Sequence, residues 1–470
     1  MLDIQKRLRA LLQRKFVRDT LILQVGKVGT TALTFLSALL VARLLGTTSY
    51  GVWALVQSFL TIALTFNLTG LSSSTAVRLP MAVGAKNESE ILNLLAVYLK
   101  VSSWWAVGLS AVLFFIGPLL ASRVYGGHTH IGSLAAVLSL TVLPDALYNL
   151  IVTTLQSQRS MRQLAILQNI NYAVLFLCTL LALLVSRTAE SMVVSRLIYS
   201  VITFTIALVF YQHGRATYAV PYPALRAIVS HARHISPRPY LGFGFLNALD
   251  KNIANLYTEI PLQMVGALIG QTAAGYLELG FKALTIPTTF ASAFFDNLQA
   301  VIPQAVGRHD FAGLRKNLLR VLAALLAGAA IFYTAFALVV PWLVALLFDQ
   351  HWLPAVPVVT ALAVYGAVIM VGGVFGPLYR ALDLMRPAIV IKIMTLILVL
   401  VPGWLLLQPV VDLAHAWRVN MAVTPVILTT LRAGALIGAW MVNGLMLISV
   451  VLTALVTLPA LRRRAHGDTR

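Results

Sequence analysis

"ARLLGTTSYGVWAL", residues 42–55, interrupts an apolar run with a small polar turn held between Gly46 and Gly51. "GALIGQTAAGYLEL", residues 266–279, repeats that punctuation around Gly270 and Gly275, 224 residues later. The same offset carries Thr48 onto Thr272 and Leu55 onto Leu279. With one residue of slippage, "LPMAVG" (79–84) aligns with "IPQAVG" (302–307), an offset of 223. Two patches matched in order at nearly one offset argue for a duplicated unit rather than two coincident glycine turns.

The surroundings of these turns fix the medium. The chain has 470 residues, 59% hydrophobic and 11% charged, with a mean hydropathy of +0.86. That much apolar surface cannot be hidden in a water-soluble core, so the chain is read as a polytopic membrane protein. Crossing roughly 30 Å of hydrocarbon takes about 20 apolar residues. Spans are expected near 21–45, 50–71, 92–120, 131–155, 164–186 and 190–211, then near 240–266, 274–297, 316–347, 355–379, 387–408 and 434–459. The net charge of +20 lies in short clusters between these runs, not in an aromatic-interleaved patch, so no nucleic-acid partner is expected. Alternating the loops puts 23 Lys and Arg on one side and only Arg43, Arg123, Arg187, Arg418 and Arg432 on the other. The positive-inside rule then gives twelve spans with both termini cytoplasmic. The basic start of the chain, Lys6 to Arg18, is expected on anionic lipids of the cytoplasmic leaflet.

A Pro-, Arg- and His-rich stretch, 212–239, divides the chain into an N-terminal bundle (1–211) and a C-terminal bundle (240–470). It is read as a cytoplasmic linker with a short amphipathic helix around 223–235. The expected fold is all-α: two pseudo-symmetric six-helix bundles around a central cavity. Six is even, so both copies have the same orientation in the bilayer, an arrangement found in transporters with a site between halves.

Ionisable groups within spans need a partner, a wet cavity or a route to the headgroups. Lys27 and Lys251 are again 224 residues apart, so the first helix of each half carries a lysine at one position. About 28 Å of helix separates Lys27 from Gly46, which puts both lysines towards the cytoplasmic end. Two readings stand: a cationic mouth for a phosphate or diphosphate, or lysines snorkelling to lipid headgroups. The seventh span, "NALDKNIANLYTEI", carries Asn247, Asp250, Lys251, Asn252, Asn255 and Glu259. Asp250, Asn255 and Glu259 are read as cavity or ion-coupling residues; the bland alternative is Asp250–Lys251 charge balance with interhelical hydrogen bonds. Glu278 and Lys282, also candidates, are spaced for a self-satisfied i,i+4 pair. Lys100, Arg196, Arg320 and Lys392 look isolated, for which snorkelling is the simpler expectation.

Enzyme signatures are missing. There is no phosphate loop, no H-E-x-x-H and no cysteine pair, Cys178 being the single cysteine, so no metal site and no cofactor are expected. His128 and His130 share a loop without ligand spacing.

The sequence resembles the bacterial polysaccharide, or oligosaccharide-lipid, flippases of the multidrug/oligosaccharidyl-lipid/polysaccharide exporter superfamily. The resemblance rests on "VARLLGTTSYGVWAL", "IGQTAAGYLEL", "PQAVGRHDFAGLRKNLLR" and "PWLVALLFDQHWLPAVPVVTALAVYG", the last with Asp349 where a glycine is usual. It implies passage of an undecaprenyl-diphosphate-linked oligosaccharide across the bacterial inner membrane, driven by an ion gradient, alongside a glycan polymerase and a chain-length regulator. Lys27 and Lys251 would then hold the diphosphate, and Asp250 or Glu259 would couple protons or sodium. Many members have fourteen spans. The rivals are a cation-coupled multidrug antiporter, a peptidoglycan-precursor flippase and, from another class, a membrane glycan polymerase or ligase. For the last, the longest loop, 409–433, offers only Asp412, His415, Arg418 and Arg432.

Overall fold

The computed structural model describes residues 15–158, 160–215, 221–241, 244–418 and 424–465. Side chains are described from residue 29, except at 161, over parts of 286–307 and over 413–427. The described residues form helices and their connections, with no strand among them. In the first half of the sequence these are α1 (Lys15–Leu64), α2 (Leu71–Gly84), α3 (Glu88–Val124), α4 (His130–Ser139), α5 (Val142–Ser157), α6 (Met161–Val185) and α7 (Ala189–Gly214). After α8 (Leu225–His234) come α9 (Phe245–Leu268), α10 (Gln271–Gly307), α11 (Phe311–Leu347), α12 (Val356–Gly372), α13 (Phe375–Ala381), α14 (Met385–Arg418) and α15 (Thr424–Ala465).

Each of the twelve expected spans overlaps helix among the described residues, and the expected amphipathic segment is α8. Among the described residues, nine helical segments are long and apolar enough to cross a membrane. One of them, Gly29–Leu64, holds two expected spans, because helix continues on both sides of Gly46, where the backbone breaks at φ 72° and ψ 171°. The helices carrying Asp250, Lys251, Glu259, Glu278 and Lys282, α9 and α10, are not among the nine.

The chain forms two compact units that do not follow its linear order. One joins residues 1–41, 67–117 and 133–245, and the other joins 42–66, 118–132 and 246–470. Leu79, Ile91, Leu95, Leu155, Leu167 and Ile228 lie in the core of the first, which draws on α2, α3, α5, α6 and α8. The second has a core around Leu318, Val374, Leu378 and Leu461 and a smaller one around Ile253, Tyr257, Ile389 and Leu445.

The first repeated turn folds with the second half of the sequence, against its own copy. A Cβ on Gly51 would lie 1.8 Å from the Gln271 carbonyl oxygen, and one on Gly275 would lie 2.6 Å from the Thr47 carbonyl oxygen. Residues 47 and 271 are themselves related by the 224-residue offset, so each copy makes the same contact on the other. Thr48 and Thr272, also equivalent, meet hydroxyl to hydroxyl at 3.0 Å. Fully buried Trp352 meets both turns edge-on, at 5.4 Å from the Tyr50 ring and 6.1 Å from the Tyr276 ring.

The second repeated patch ends in one loop geometry written twice. Lys86 and His309 both take left-handed backbone, φ 54° and 56°. The next N–H in each copy returns to the helix end, Asn87 to the Ala82 carbonyl at 3.0 Å and Asp310 to the Ala305 carbonyl at 3.1 Å. Asn87 and Asp310 then cap the following helices, accepting from Glu90 N–H at 3.0 Å and Gly313 N–H at 2.9 Å. A third corner repeats likewise: Ser160 N–H bonds the Leu155 carbonyl at 3.0 Å and Leu384 N–H the Tyr379 carbonyl at 2.7 Å.

Gly51→Val or Gly275→Val has to push two backbones apart and is expected to cost about 3 kcal/mol or more. Gly84→Ala, with nothing within 4 Å of the added carbon, is expected to be neutral. Thermal unfolding in detergent, followed by size exclusion, measures the contrast. Equal melting of G51V and G84A would contradict the close crossing.

Candidate functional site

Helix α9, which carries the polar seventh span, is held on different faces by different partners. Asp250 and Tyr257, two turns apart, share the face towards α13 and α14. The Asp250 carboxylate is 2% exposed and accepts three bonds: from Lys392 Nζ at 2.5 Å, Tyr379 Oη at 2.7 Å and Arg380 Nη2 at 3.2 Å. Tyr257 Oη donates to the Lys392 carbonyl at 3.1 Å. An anion taken out of water is tolerable only with this kind of multiple compensation.

A second face meets the 47–64 part of α1. There Asn252 Nδ2 donates to the Thr65 carbonyl at 2.8 Å, just where the backbone leaves the helix before α2. Ser58 Oγ donates to the Glu259 carbonyl at 3.3 Å, and Gln263 Nε2 to the Leu55 carbonyl at 2.9 Å. Gln263 Oε1 in turn accepts from Tyr125 Oη. In a low-dielectric setting each such bond satisfies a side-chain donor that would otherwise cost free energy, and the one from Asn252 also satisfies a carbonyl just past a helix end.

The third face opens on a cavity of about 280 Å³. Thr258 and Glu259 of α9 face Glu278, Phe281 and Lys282 of α10, with Tyr365 of α12 completing the wall. Lys282 Nζ lies 3.1 Å from Glu278 Oε1, the expected i,i+4 pair. Phe281 and Tyr365 meet edge-on with centroids 6.3 Å apart. Carboxylate oxygens, threonine hydroxyls and aromatic edges in one cavity can bind a cation or proton, or hydrogen-bond a sugar.

Of the residues singled out from sequence, Glu259, Glu278 and Lys282 therefore come together. Asn255, half-buried, does not line this cavity; its carbonyl accepts from Thr258 Oγ1 at 3.2 Å. Asp250 belongs to the ion cluster instead. Lys251 is exposed and forms no ion pair among the described residues; Lys392 and Arg380, not Lys251 as in the bland alternative, balance the Asp250 charge. The Lys27 side chain lies outside the described ones.

Three further residues taken as isolated have partners. Lys392 is the closest counter-ion of Asp250. Arg196 lies 3.6 Å from Asp145, which also accepts from Ser200 Oγ at 2.5 Å. Lys100 Nζ donates to the carbonyls of Ile235, at 2.9 Å, and Arg233, at 3.3 Å. Asp250 and Lys392 are 142 residues apart, so no helical period could have paired them.

Asp250→Ala leaves the Lys392 ammonium, 14% exposed, without its counter-charge, and a loss of about 3–5 kcal/mol is expected. Arg380→Ala, removing a side chain 44% exposed, should cost about 1 kcal/mol or less. Asp250→Leu combined with Lys392→Met should recover most of the loss. Melting temperatures of the purified variants test this ordering, and D250A melting no lower than R380A would refute it.

The family described as "Polysaccharide biosynthesis protein" matches over residues 40–357. No curated protein matches in sequence. Among solved structures, the inward-facing conformation of a multidrug resistance MATE family transporter of the MOP superfamily is similar, with a TM-score of 0.69 at 14% identity, over 92% of this chain and 96% of that one. A MOP superfamily transporter from Pyrococcus furiosus, described as having a binding pocket of reversed polarity, aligns over 96% of each chain with a TM-score of 0.64 at 13% identity. At such identities the likeness concerns the fold alone. The repeated turns, the nine membrane-length apolar helical segments among the described residues and the family match together identify the chain as a polytopic membrane protein of the polysaccharide biosynthesis protein family, with the fold of MOP superfamily transporters.

Proposed function

We propose that the protein is a flippase that moves an undecaprenyl-diphosphate-linked oligosaccharide across the bacterial inner membrane by alternating access, with both termini in the cytoplasm. The family match over 40–357 supports a role in polysaccharide assembly, and the transporter fold supports translocation over glycan polymerisation or ligation. The observation that carries the reading is the charge arrangement on α9. Asp250 is neutralised by Lys392 and Arg380, and the adjacent Lys251 is exposed and forms no ion pair among the described residues. A mobile diphosphate needs such a group, because its own charge supplies the missing partner. Lys27, the repeat equivalent of Lys251, is the second diphosphate contact in this reading. Glu259, beside the Glu278–Lys282 pair, is the coupling carboxylate for a proton or sodium gradient, and the threonines and aromatics of its cavity are suited to sugar hydroxyls and ring faces.

The test is translocation in proteoliposomes carrying a fluorescent polyprenyl-diphosphate oligosaccharide, scored by lectin accessibility on the outer face. Lys251→Ala and Lys27→Ala are each expected to slow flipping about tenfold, the worth of one lost charge-assisted contact. Glu259→Gln is expected to remove the acceleration by an imposed gradient while leaving downhill flipping intact. Full-rate flipping by both lysine variants would overturn the diphosphate roles. Export of a cationic dye with no movement of the lipid-linked sugar would overturn the flippase reading in favour of a multidrug antiporter.

A further inference from the structure

A second cavity, of about 250 Å³, lies within the first unit and takes no part in the reading above. Leu95 and Leu99 of α3, Leu150 and Ile151 of α5, Leu208 of α7 and Val229 of α8 present only apolar surface to it. It lies where α3, α5 and α7 run into the basic loops of that unit. With no polar atom facing it, the cavity cannot satisfy sugar hydroxyls, and it offers water no partners. Its chemistry suits a hydrocarbon chain.

The wall formed by α8 is tied at both ends. Ahead of it, Tyr211 Oη donates to the Pro223 carbonyl at 2.9 Å and the Tyr222 hydroxyl meets Ser157 Oγ at 2.7 Å. At its end, Lys100 binds the Arg233 and Ile235 carbonyls, and His231 Nε2 lies 2.7 Å from Asn93 Oδ1. Tyr240 Oη donates to Glu90 Oε2 at 3.2 Å. A wall fixed in this way suits a resident molecule rather than a cargo that must leave in every cycle.

The outer edge of the wall is cationic. Arg226, Val229 and Arg233 follow at three- and four-residue steps and share one face of α8. Val229 both lines the cavity and is 47% exposed. Arg226 and Arg233 are exposed and form no ion pair among the described residues. An apolar opening flanked by two guanidinium groups matches a molecule with one hydrocarbon chain and an adjacent phosphate.

We propose that this is a binding site for an anionic phospholipid, one acyl chain lying between α3, α5, α7 and α8 and the phosphate held by Arg226 and Arg233. The lipid anchors the linker that joins the two halves of the sequence. This stands independently of the identity of the transported molecule.

Native mass spectrometry of the full-length protein, titrated with dioleoyl phosphatidylglycerol, dioleoyl phosphatidylcholine, dihexanoyl phosphatidylglycerol and polyprenyl monophosphate, tests the proposal. The dioleoyl anionic lipid is expected to bind, with both the zwitterionic and the short-chain lipid at least tenfold weaker. Arg226→Ala with Arg233→Ala should weaken it about 30-fold, the factor two surface arginines contribute towards an anionic lipid. Ile151→Trp, which fills the cavity, should abolish the preference for long chains. If that variant does not fold, the chain-length series on the unaltered protein carries the same information. Equal binding of the long and short anionic lipids, or an unchanged affinity in the double alanine variant, would overturn the proposal. Displacement of phosphatidylglycerol by equimolar polyprenyl monophosphate would also overturn it, assigning the cavity to the transported lipid.

Discussion

The rest of the second unit is arranged around the crossing of two copies of one turn. Gly51 sits over the carbonyl of residue 271, and Gly275 over that of its equivalent, residue 47, at separations that leave no room for a side chain. The equivalent threonines, Thr48 and Thr272, close the contact with a hydrogen bond. Without a hydrophobic driving force between helices in lipid, close backbone approach is a principal source of association, and small residues permit it. A duplicated turn that docks on itself fixes both copies with one contact, made twice. Trp352, packed against Tyr50 and Tyr276, covers the same place with aromatic area.

That crossing brings α9 beside the 47–64 part of α1, and α9 is where apolar economy is set aside. One face carries Asp250 into a cluster of two cations and a phenol, the second hands amides to backbone carbonyls, and the third borders the cavity of Glu259, Glu278 and Lys282. Each arrangement is costly unless complete, because an unpaired polar group in this setting forfeits its hydration with no return. The structure completes the first two. Lys251 remains exposed and without an ion pair among the described residues.

Local chemistry was legible in the sequence wherever it repeats or follows a helical period. The Glu278–Lys282 pair needed only i,i+4 spacing. The loops at Lys86 and His309 were visible as aligned "AVG" patches, and their backbone bonds prove equivalent one by one. The partners of Asp250, Asp145 and Lys100 were not legible, because each lies on a different helix and no period links them. An intramembrane charge announces that it needs a counter-charge; sequence alone does not say which of several distant cations supplies it.

The amino-acid sequence by itself determined the membrane class, the helical spans, the duplication and its register, since these rest on hydrophobic run length, loop charge and self-similarity. Only the tertiary structure decided that the first turn folds with the second half of the sequence, that Asp250 pairs with Lys392 and Arg380, and that α8 closes an apolar cavity between two arginines. The physical reason is common to all three. Run length and charge placement are properties of a segment in its solvent, whereas docking and ion pairing depend on which surfaces meet after the chain has folded back on itself.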